Sequence, residues 1–287
     1  MDRRTWLKLV GAAGITSVAG ERSAQASDTD ADTGDTRGIL ADLTACIGCR
    51  TCEQVCAHFH ERPEPADMDT AVSDLPKRQT SETQWTVVNA YETSGGRVFV
   101  KRQCLHCSTP ACAAACLTKA MVKTREGPVI WREDKCMGCR YCMLSCPFDM
   151  PKFEYNSPKP RIQKCRMCWE RLQEKEIPAC CDFCAGNALT FGKRRELLDL
   201  ARKRIAEKPK KYVHHIYGEH EAGGTDFMYL SPVPFEEVGL PTNVGEKPMP
   251  EYTRNFLGSV PIVLTLWPAL LVGLHLATGR PENETHA

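Results

Sequence analysis

The sequence lacks the short motifs with which many enzymes bind nucleotides or attack a substrate. It has no P-loop, no G-x-G-x-x-G dinucleotide fingerprint and no Ser/His/Asp arrangement in a hydrolase context. Nothing in it indicates a substrate pocket. We therefore assign no catalytic residue.

Excess charge and repeated long apolar runs are missing as well. The formal net charge is +1, with a pI near 7.5, which argues against nucleic acid as a partner. The mean hydropathy of -0.36 excludes a membrane protein with many spans. The 287 residues are enough for one large domain or two ordinary ones.

Cysteine is the residue type in excess. There are 17, an odd number, so complete disulfide pairing is impossible. Sixteen of them form four groups of four. The groups are Cys46, Cys49, Cys52 and Cys56; Cys104, Cys107, Cys112 and Cys116; Cys136, Cys139, Cys142 and Cys146; and Cys165, Cys168, Cys180 and Cys184.

The spacing within these groups indicates iron–sulfur clusters. The first and third groups read C-x2-C-x2-C-x3-C, and Pro147 follows the third, as in bacterial ferredoxins. Three thiolates of such a loop surround one cluster, and the fourth binds the neighbouring cluster. Zinc prefers two short pairs separated by a longer run, and cysteines three apart in a tight loop rarely meet disulfide geometry.

The fourth group leaves an alternative open. C-x2-C, a gap of eleven residues and then C-x3-C is also a zinc pattern. The first group needs a second motif with which to exchange its fourth ligand, and this favours iron–sulfur. Taking Cys180 as the ligand repeats the final three-residue gap and leaves Cys181 as an extra, inert thiol. We expect four [4Fe–4S] clusters.

The N-terminus predicts export by the twin-arginine route. Arg3 and Arg4 precede an apolar run, and "SAQAS" places a cleavage site after Ala26. This route carries folded proteins, so clusters can be assembled in the reducing cytoplasm first. The mature chain would then face the periplasm.

A second apolar segment lies near the C-terminus. Residues 255–279 carry no charge, and such a run is long enough to cross about 30 Å of hydrocarbon as one helix. Pro261 and Pro268 are tolerated better in a membrane helix than in a soluble one. The alternative is a helix buried in the protein core. We expect the protein to be anchored at the periplasmic face of the inner membrane.

Beyond the spacing, the chain resembles the four-cluster ferredoxin-type subunits of respiratory oxidoreductases. The resemblance is carried by "CIGCRTCEQVC", "QCLHCSTPACAAAC", "KCMGCRYCMLSCPF", "KCRMCWERLQEKEIPACCDFC" and "FGKRRELLDLARKRI". The segment "YGEHEAGGTDFMYLSPVPFEEVGLP" favours the membrane-anchored subunit of quinone-linked nickel–iron hydrogenase. The chain also resembles, as the second choice, the beta subunit of quinone-linked formate dehydrogenase. Ala57, Leu117 and Ala185 depart from the family by replacing a proline that often follows the last cysteine.

The resemblance implies that the first motif exchanges a ligand with the fourth, and the second with the third. The four implied ligand sets are Cys46, Cys49, Cys52 and Cys184; Cys56, Cys165, Cys168 and Cys180; Cys104, Cys107, Cys112 and Cys146; and Cys116, Cys136, Cys139 and Cys142.

The implied fold class is α+β, with two pseudo-symmetric ferredoxin-like units, an inserted strand hairpin and one C-terminal transmembrane helix. The expected segments are a signal peptide at 1–26, a flexible linker at 27–37, a four-cluster domain at 38–200, a basic helix and extended arm at 201–253, a transmembrane helix at 254–279 and a tail at 280–287.

The implied function is electron transfer between a catalytic subunit and an integral membrane subunit that reacts with quinone. Such a subunit is not catalytic by itself. The catalytic partner would be a nickel–iron hydrogenase, or alternatively a formate dehydrogenase or another molybdenum or tungsten enzyme. A different class of function is a zinc-stabilised scaffold that only anchors partners.

Truncation before Arg254 tests the anchor. Since the apolar segment is the expected membrane attachment, the truncated protein should appear in the soluble fraction with its brown colour retained. The measurement is the partition of the protein between membrane and soluble fractions, with the full chain as control. Continued tight binding to membranes would mean that a partner supplies the anchor.

Overall fold

A computed structural model describes residues 36–278. The predicted signal peptide, nearly all of the linker and the tail lie outside these residues. The strands are β1 Arg37–Asp42, β2 Val87–Thr93, β3 Gly96–Arg102, β4 Met121–Lys123, β5 Val129–Trp131, β6 Lys152–Phe153, β7 Ile162–Gln163, β8 Leu189–Lys193 and β9 Phe227–Leu230. The helices are α1 Thr51–Phe59, α2 Ala111–Ala114, α3 Tyr141–Leu144, α4 Trp169–Gln173, α5 Ala179–Asp182, α6 Arg194–Glu207 and α7 Met249–Thr278, with 3₁₀ turns at Val72–Asp74, Glu133–Lys135 and Glu221–Gly223.

A three-stranded sheet forms the centre of the protein. β1 lies in the middle, antiparallel to β8 and parallel to β9. Successive side chains of a strand point to opposite faces, and β1 buries both: Ile39 packs with the core that includes the cysteine loops, and Leu40 packs with α6. The sheet therefore separates two apolar cores, and the thiols lie on one side of it.

The expected hairpin insertion is present. β2 pairs with β3 in a regular antiparallel register that ends at Thr93 opposite Gly96, and Gly96 takes the positive φ of +104° that the tight turn needs. The predicted strand before the third cysteine group is β5, paired with β4. Mixed helix and strand agree with the α+β class, whereas pseudo-symmetry of two whole units stays a prediction.

The segment that we expected to be an extended arm is part of the core instead. β9 lies within it and pairs with β1, and Tyr217 and Tyr229 are fully buried. The physical reason is the apolar run "FMYL", which has strand propensity and is long enough to fill a buried strand. The five prolines of residues 212–253 suggested an extended chain, but all five follow β9.

The predicted basic helix is α6. Leu197, Leu198 and Ala201 are buried against the sheet, and the basic side chains lie on the other faces. The helix therefore covers the side of β1 that faces away from the thiols.

The apolar C-terminal segment forms α7, one continuous helix that includes Pro261 and Pro268. Thr265 Oγ1 donates to the carbonyl of Pro261 at 2.9 Å, so a side chain bonds the backbone near the first proline. Within residues 36–278, α7 is the one helix long and apolar enough to span a membrane. Its most apolar stretch is not buried against the rest of the protein. Length and composition thus agree with the expected anchor.

A buried carboxylate fixes α1, which carries two cysteines, to the hairpin. Glu53 accepts hydrogen bonds from Arg78 at 2.6 and 2.9 Å, from Arg50 at 3.2 Å, from Gln84 at 3.0 Å and from the backbone N–H of Val88 at 2.5 Å. Its side chain has no exposed surface. Buried charges persist only when they are paired in this way.

Replacing Glu53 with alanine should destabilise the fold, because the buried Arg50 and the half-buried Arg78 would lose their carboxylate. Breaking a buried ion pair by removing one partner costs about 3–5 kcal/mol, which corresponds to a fall of roughly 6–20 °C in the thermal midpoint for a chain of this size. The measurement is thermal unfolding at a fixed heating rate.

The control is Glu207→Ala, which removes an exposed carboxylate of α6 and should change stability by less than about 0.5 kcal/mol. Equal midpoints for the two variants would contradict the structural role given to Glu53.

Candidate metal centres

Three cysteines of the first group and one of the fourth group line one cavity. Cys46, Cys49, Cys52 and Cys184 line a space of about 470 Å³, counted with its open mouth. Burial raises the pKa of the Cys46 thiol most, and charges on Cys184 and Cys49 raise it further. These residues are called site A.

A second cavity, of about 400 Å³, is lined by Cys56, Cys165, Cys168 and Cys180, which are called site B. Burial and the charges of the other three thiols raise the pKa of Cys56 well above its usual value. Cys52 and Cys56 lie one turn apart on α1 but line different cavities. The first motif thus contributes thiols to both sites.

The remaining eight cysteines of the four groups form two further sets. Cys107 is half-buried, and its pKa is raised by burial and by charges on Cys104, Cys146 and Cys112; these four are called site C. The pKa of Cys142 is raised to about 11 by burial and by charges on Cys116, Cys136 and Cys139; these four are called site D. The second and third motifs are interleaved, and α2 packs on α3 between them.

The four sites form a series. Cys180 of site B is close enough for its charge to raise the pKa of Cys52 in site A. The charge of Cys104 in site C likewise acts on Cys165 in site B, and that of Cys142 in site D on Cys112 in site C. Neighbouring sites are therefore A and B, B and C, and C and D.

Left-handed backbone positions shape the cysteine loops. Gly48 and Arg50 of the first motif have φ of 72° and 59°, and Gly138 and Arg140 of the third have nearly the same values, 74° and 61°. Few residues other than glycine adopt this region. At Gly48 a Cβ would lie 2.7 Å from the ring of Phe99, so glycine is also required for space. The repeated turn directs successive thiols toward one point.

The donor set fits an iron–sulfur group. Thiols that converge on a largely enclosed space are costly to ionise together, and a cationic metal group between them would remove that cost. Among residues 36–278, no three His, Cys, Asp or Glu side chains converge closely enough to hold a single metal ion. The sulfur atoms are instead spread around cavities.

Hydrogen bonds to sulfur support the same fit. The backbone N–H of Met121 donates to Cys116 Sγ at 3.3 Å, and that of Met167 donates to Cys165 Sγ at 3.4 Å. Donors of this kind stabilise anionic sulfur and tune clusters. Cys181 donates to Cys180 and lowers the pKa of that thiol to about 6, so the extra cysteine supports a neighbour in site B.

The histidines beside the loops differ in their surroundings. His106 is 1% exposed and lines the site B cavity, although it lies between two cysteines of site C. Its Nδ1 accepts the backbone N–H of Val129 at 2.9 Å, and its Nε2 has no partner among the described residues. Burial, followed by the charges of Lys164, Lys123 and Lys101, lowers its pKa well below the usual value. A neutral ring with an Nε2 hydrogen therefore faces site B.

His60 lies on the same cavity, with Nε2 3.4 Å from Cys168 Sγ. Burial lowers its pKa to about 4, so the ring is neutral near pH 7. His58 contacts the edge of Phe59 and is exposed. Of the three histidines next to cysteine loops, two line site B.

Lys101 is a residue of these sites that the cysteine spacing does not indicate. This residue lines the cavities of both site A and site B and is 4% exposed. Burial acts to lower its pKa, but charges on Cys180, Cys52, Cys165 and Cys56 outweigh burial and raise it. Side chains alternate along β3, so the sequence places Lys101 on the same face as Phe99 and on the face opposite Val98 and Val100. This alternation does not show that the cavities lie on the face of Lys101.

Comparison with known proteins agrees with this chemistry. A family model described as a 4Fe–4S dicluster domain matches residues 97–194, which extend from β3 to the start of α6. A protein of Nitratidesulfovibrio vulgaris is 46% identical over 290 residues, which cover 99% of this chain and 78% of that protein.

Two further relatives carry informative names. The hydrogenase-2 operon protein HybA of Escherichia coli is 33% identical over 100% of this chain and 97% of its own length. The iron–sulfur subunit of the nitrate-inducible formate dehydrogenase of Escherichia coli is 33% identical over 67% of this chain and 66% of its own length. The similarity to HybA covers the whole chain and therefore includes the C-terminal helix α7.

Cys146→Ser tests the crossed arrangement of sites C and D. Because Cys146 lies with Cys104, Cys107 and Cys112, we expect loss of one cluster signal and about four iron atoms per chain. The lost electron paramagnetic resonance (EPR) signal should match that lost in Cys104→Ser and differ from that lost in Cys136→Ser.

The matched control is Cys181→Ser, which removes the thiol outside the four sets; its hydroxyl can still donate to Cys180, so all the iron should be retained. If Cys146→Ser instead loses the same signal as Cys136→Ser, each motif holds its own cluster and the crossing is wrong.

Proposed function

The chain belongs to the family of iron–sulfur subunits that includes HybA and the iron–sulfur subunits of formate dehydrogenases, and on this premise we propose that it is an electron-transfer subunit. It would relay electrons through four [4Fe–4S] clusters between a catalytic subunit and a quinone-reactive membrane subunit. The observation that carries the proposal is the series of four neighbouring thiol sites.

When bound, [4Fe–4S] clusters supply one-electron carriers, whose potentials depend on hydrogen bonds to sulfur, charge and solvent exposure. The thiols of sites A to D would hold them in the sets that the family resemblance implies. The loops, α1 and the central sheet fix the thiols in place. The neutral rings of His60 and His106 can donate to sulfur at site B.

Exposed apolar side chains at both ends of the series support two docking partners. At site A, Ile47 lies between two cysteines and is 60% exposed. At site D, Met137, Tyr141 and Leu144 lie within the third motif and are exposed, Leu144 to 84%. Exposed large apolar residues beside a functional site are typical of protein interfaces.

The position of α7 suggests which end meets the membrane. Its contacts with the rest of the protein include α2, the short helix that carries Cys112 and leads to Cys116. We therefore assign site D to the membrane partner and site A to the catalytic partner. With export by the twin-arginine route, the cluster domain would lie at the periplasmic face of the inner membrane.

The hydrogenase reading is favoured over formate dehydrogenase by the extent of similarity. The match to HybA covers the whole chain, whereas the match to the formate dehydrogenase subunit covers 67% of it. The catalytic partner is therefore proposed to be a nickel–iron hydrogenase. A molybdenum or tungsten enzyme is the second candidate.

Metal analysis of the complex purified in mild detergent tests the proposal. We expect about sixteen iron atoms per chain, four for each cluster, a visible absorption band that bleaches on reduction, no stoichiometric zinc, and a copurifying nickel-containing subunit. An iron-free chain with zinc would point to the scaffold alternative. Molybdenum or tungsten in the partner would leave the electron relay intact and replace the hydrogenase.

A further inference from the structure

A buried lysine separates two of the thiol sites. Lys101 extends from β3, and its side chain forms part of the wall of both the site A and the site B cavities. Neither cavity is lined by any other lysine. One cation is thus shared between two neighbouring groups of four thiols.

A closed set of hydrogen bonds holds this lysine in place. Lys101 Nζ donates to Gln103 Oε1 at 2.9 Å, and Gln103 Nε2 donates to the hydroxyl of Tyr229 at 3.0 Å. That hydroxyl donates to the backbone carbonyl of Lys101 at 2.8 Å. The ring of Phe227 lies 5.4 Å from Nζ. The ammonium group is therefore fixed rather than free to move toward solvent.

The ion pairs found within residues 36–278 give this lysine no carboxylate partner. Lys123, by contrast, pairs with Asp226, and the buried Glu53 is paired with Arg50 and Arg78. A buried ammonium without a counter-charge is strongly unfavourable. The negative charges that stabilise Lys101 must therefore come from sites A and B themselves.

We propose that Lys101 is a positioning residue that raises the reduction potentials of the iron–sulfur groups at sites A and B together. This inference rests on the proposed function. Reduction adds one electron and one negative charge to a site, without bond cleavage or proton transfer. A fixed cation beside both sites stabilises that added charge wherever the electron resides. Electrons would be held more readily at this end of the series than at site D.

The test compares Lys101→Met, which removes the charge at similar length, with Lys101→Arg, which keeps it. Both are examined in the intact complex by redox titration followed by EPR. In Lys101→Met, we expect the equilibrium constant for reduction to fall at least tenfold at two of the clusters, which is a lowering of 59 mV for a one-electron couple. The other two potentials should stay unchanged, and Lys101→Arg should resemble the unaltered protein.

The matched control is Lys203→Met, which removes one positive charge from the exposed face of α6 and should move none of the potentials. If Lys101→Met loses iron at two sites while Lys101→Arg retains it, the result supports the proposal that sites A and B need a positive charge at this position. The proposal is overturned if all the potentials of an iron-loaded Lys101→Met are unchanged, or if the two variants behave alike. An unaltered protein without iron would instead overturn the proposed function.

Discussion

Burial of negatively charged sulfur is the constraint on which the rest of this structure depends. Removing a thiolate from water is unfavourable, and each site gathers four sulfur atoms whose charges repel one another. The raised pKa of the Cys56 and Cys107 thiols expresses that cost. A site of this kind is stable only when positive charge and hydrogen-bond donors lie among the sulfur atoms. The backbone N–H groups supply donors and Lys101 supplies positive charge, and the cavities leave space for a metal group between the thiols.

The scaffold meets the constraint by sharing elements between neighbouring sites. α1 carries one thiol for site A and another for site B, and α2 packs on α3 where sites C and D meet. Left-handed turns in the loops bring three thiols of a motif to one point, and the following helix carries the fourth elsewhere. Adjacent sites are therefore close without any separate linker. In the proposed function, the same sharing would make the electron path continuous.

Charged groups outside the sites follow a different pattern. Glu53 joins α1 to the β2–β3 hairpin through arginines, and Asp226 joins β9 to Lys123 and Arg194. These carboxylates are already paired, which leaves Lys101 to the thiols. The carboxylate ion pairs that stabilise the core are thus separate from the lysine that we propose to act on sites A and B. The central sheet keeps that core apart from the solvent-facing α6.

The sequence by itself determined the local features: the spacing of the thiols, the hairpin, α6 and the apolar segment of α7. Each depends on residues near one another in the chain, where periodicity and ligand spacing act directly. Tertiary structure alone decided that Lys101 lies between two cavities, that His106 of one motif faces another site, and that the segment containing Tyr229 returns to pair with β1. These results depend on contacts between distant residues, such as Gln103 with Tyr229, and no local pattern encodes which distant groups will meet.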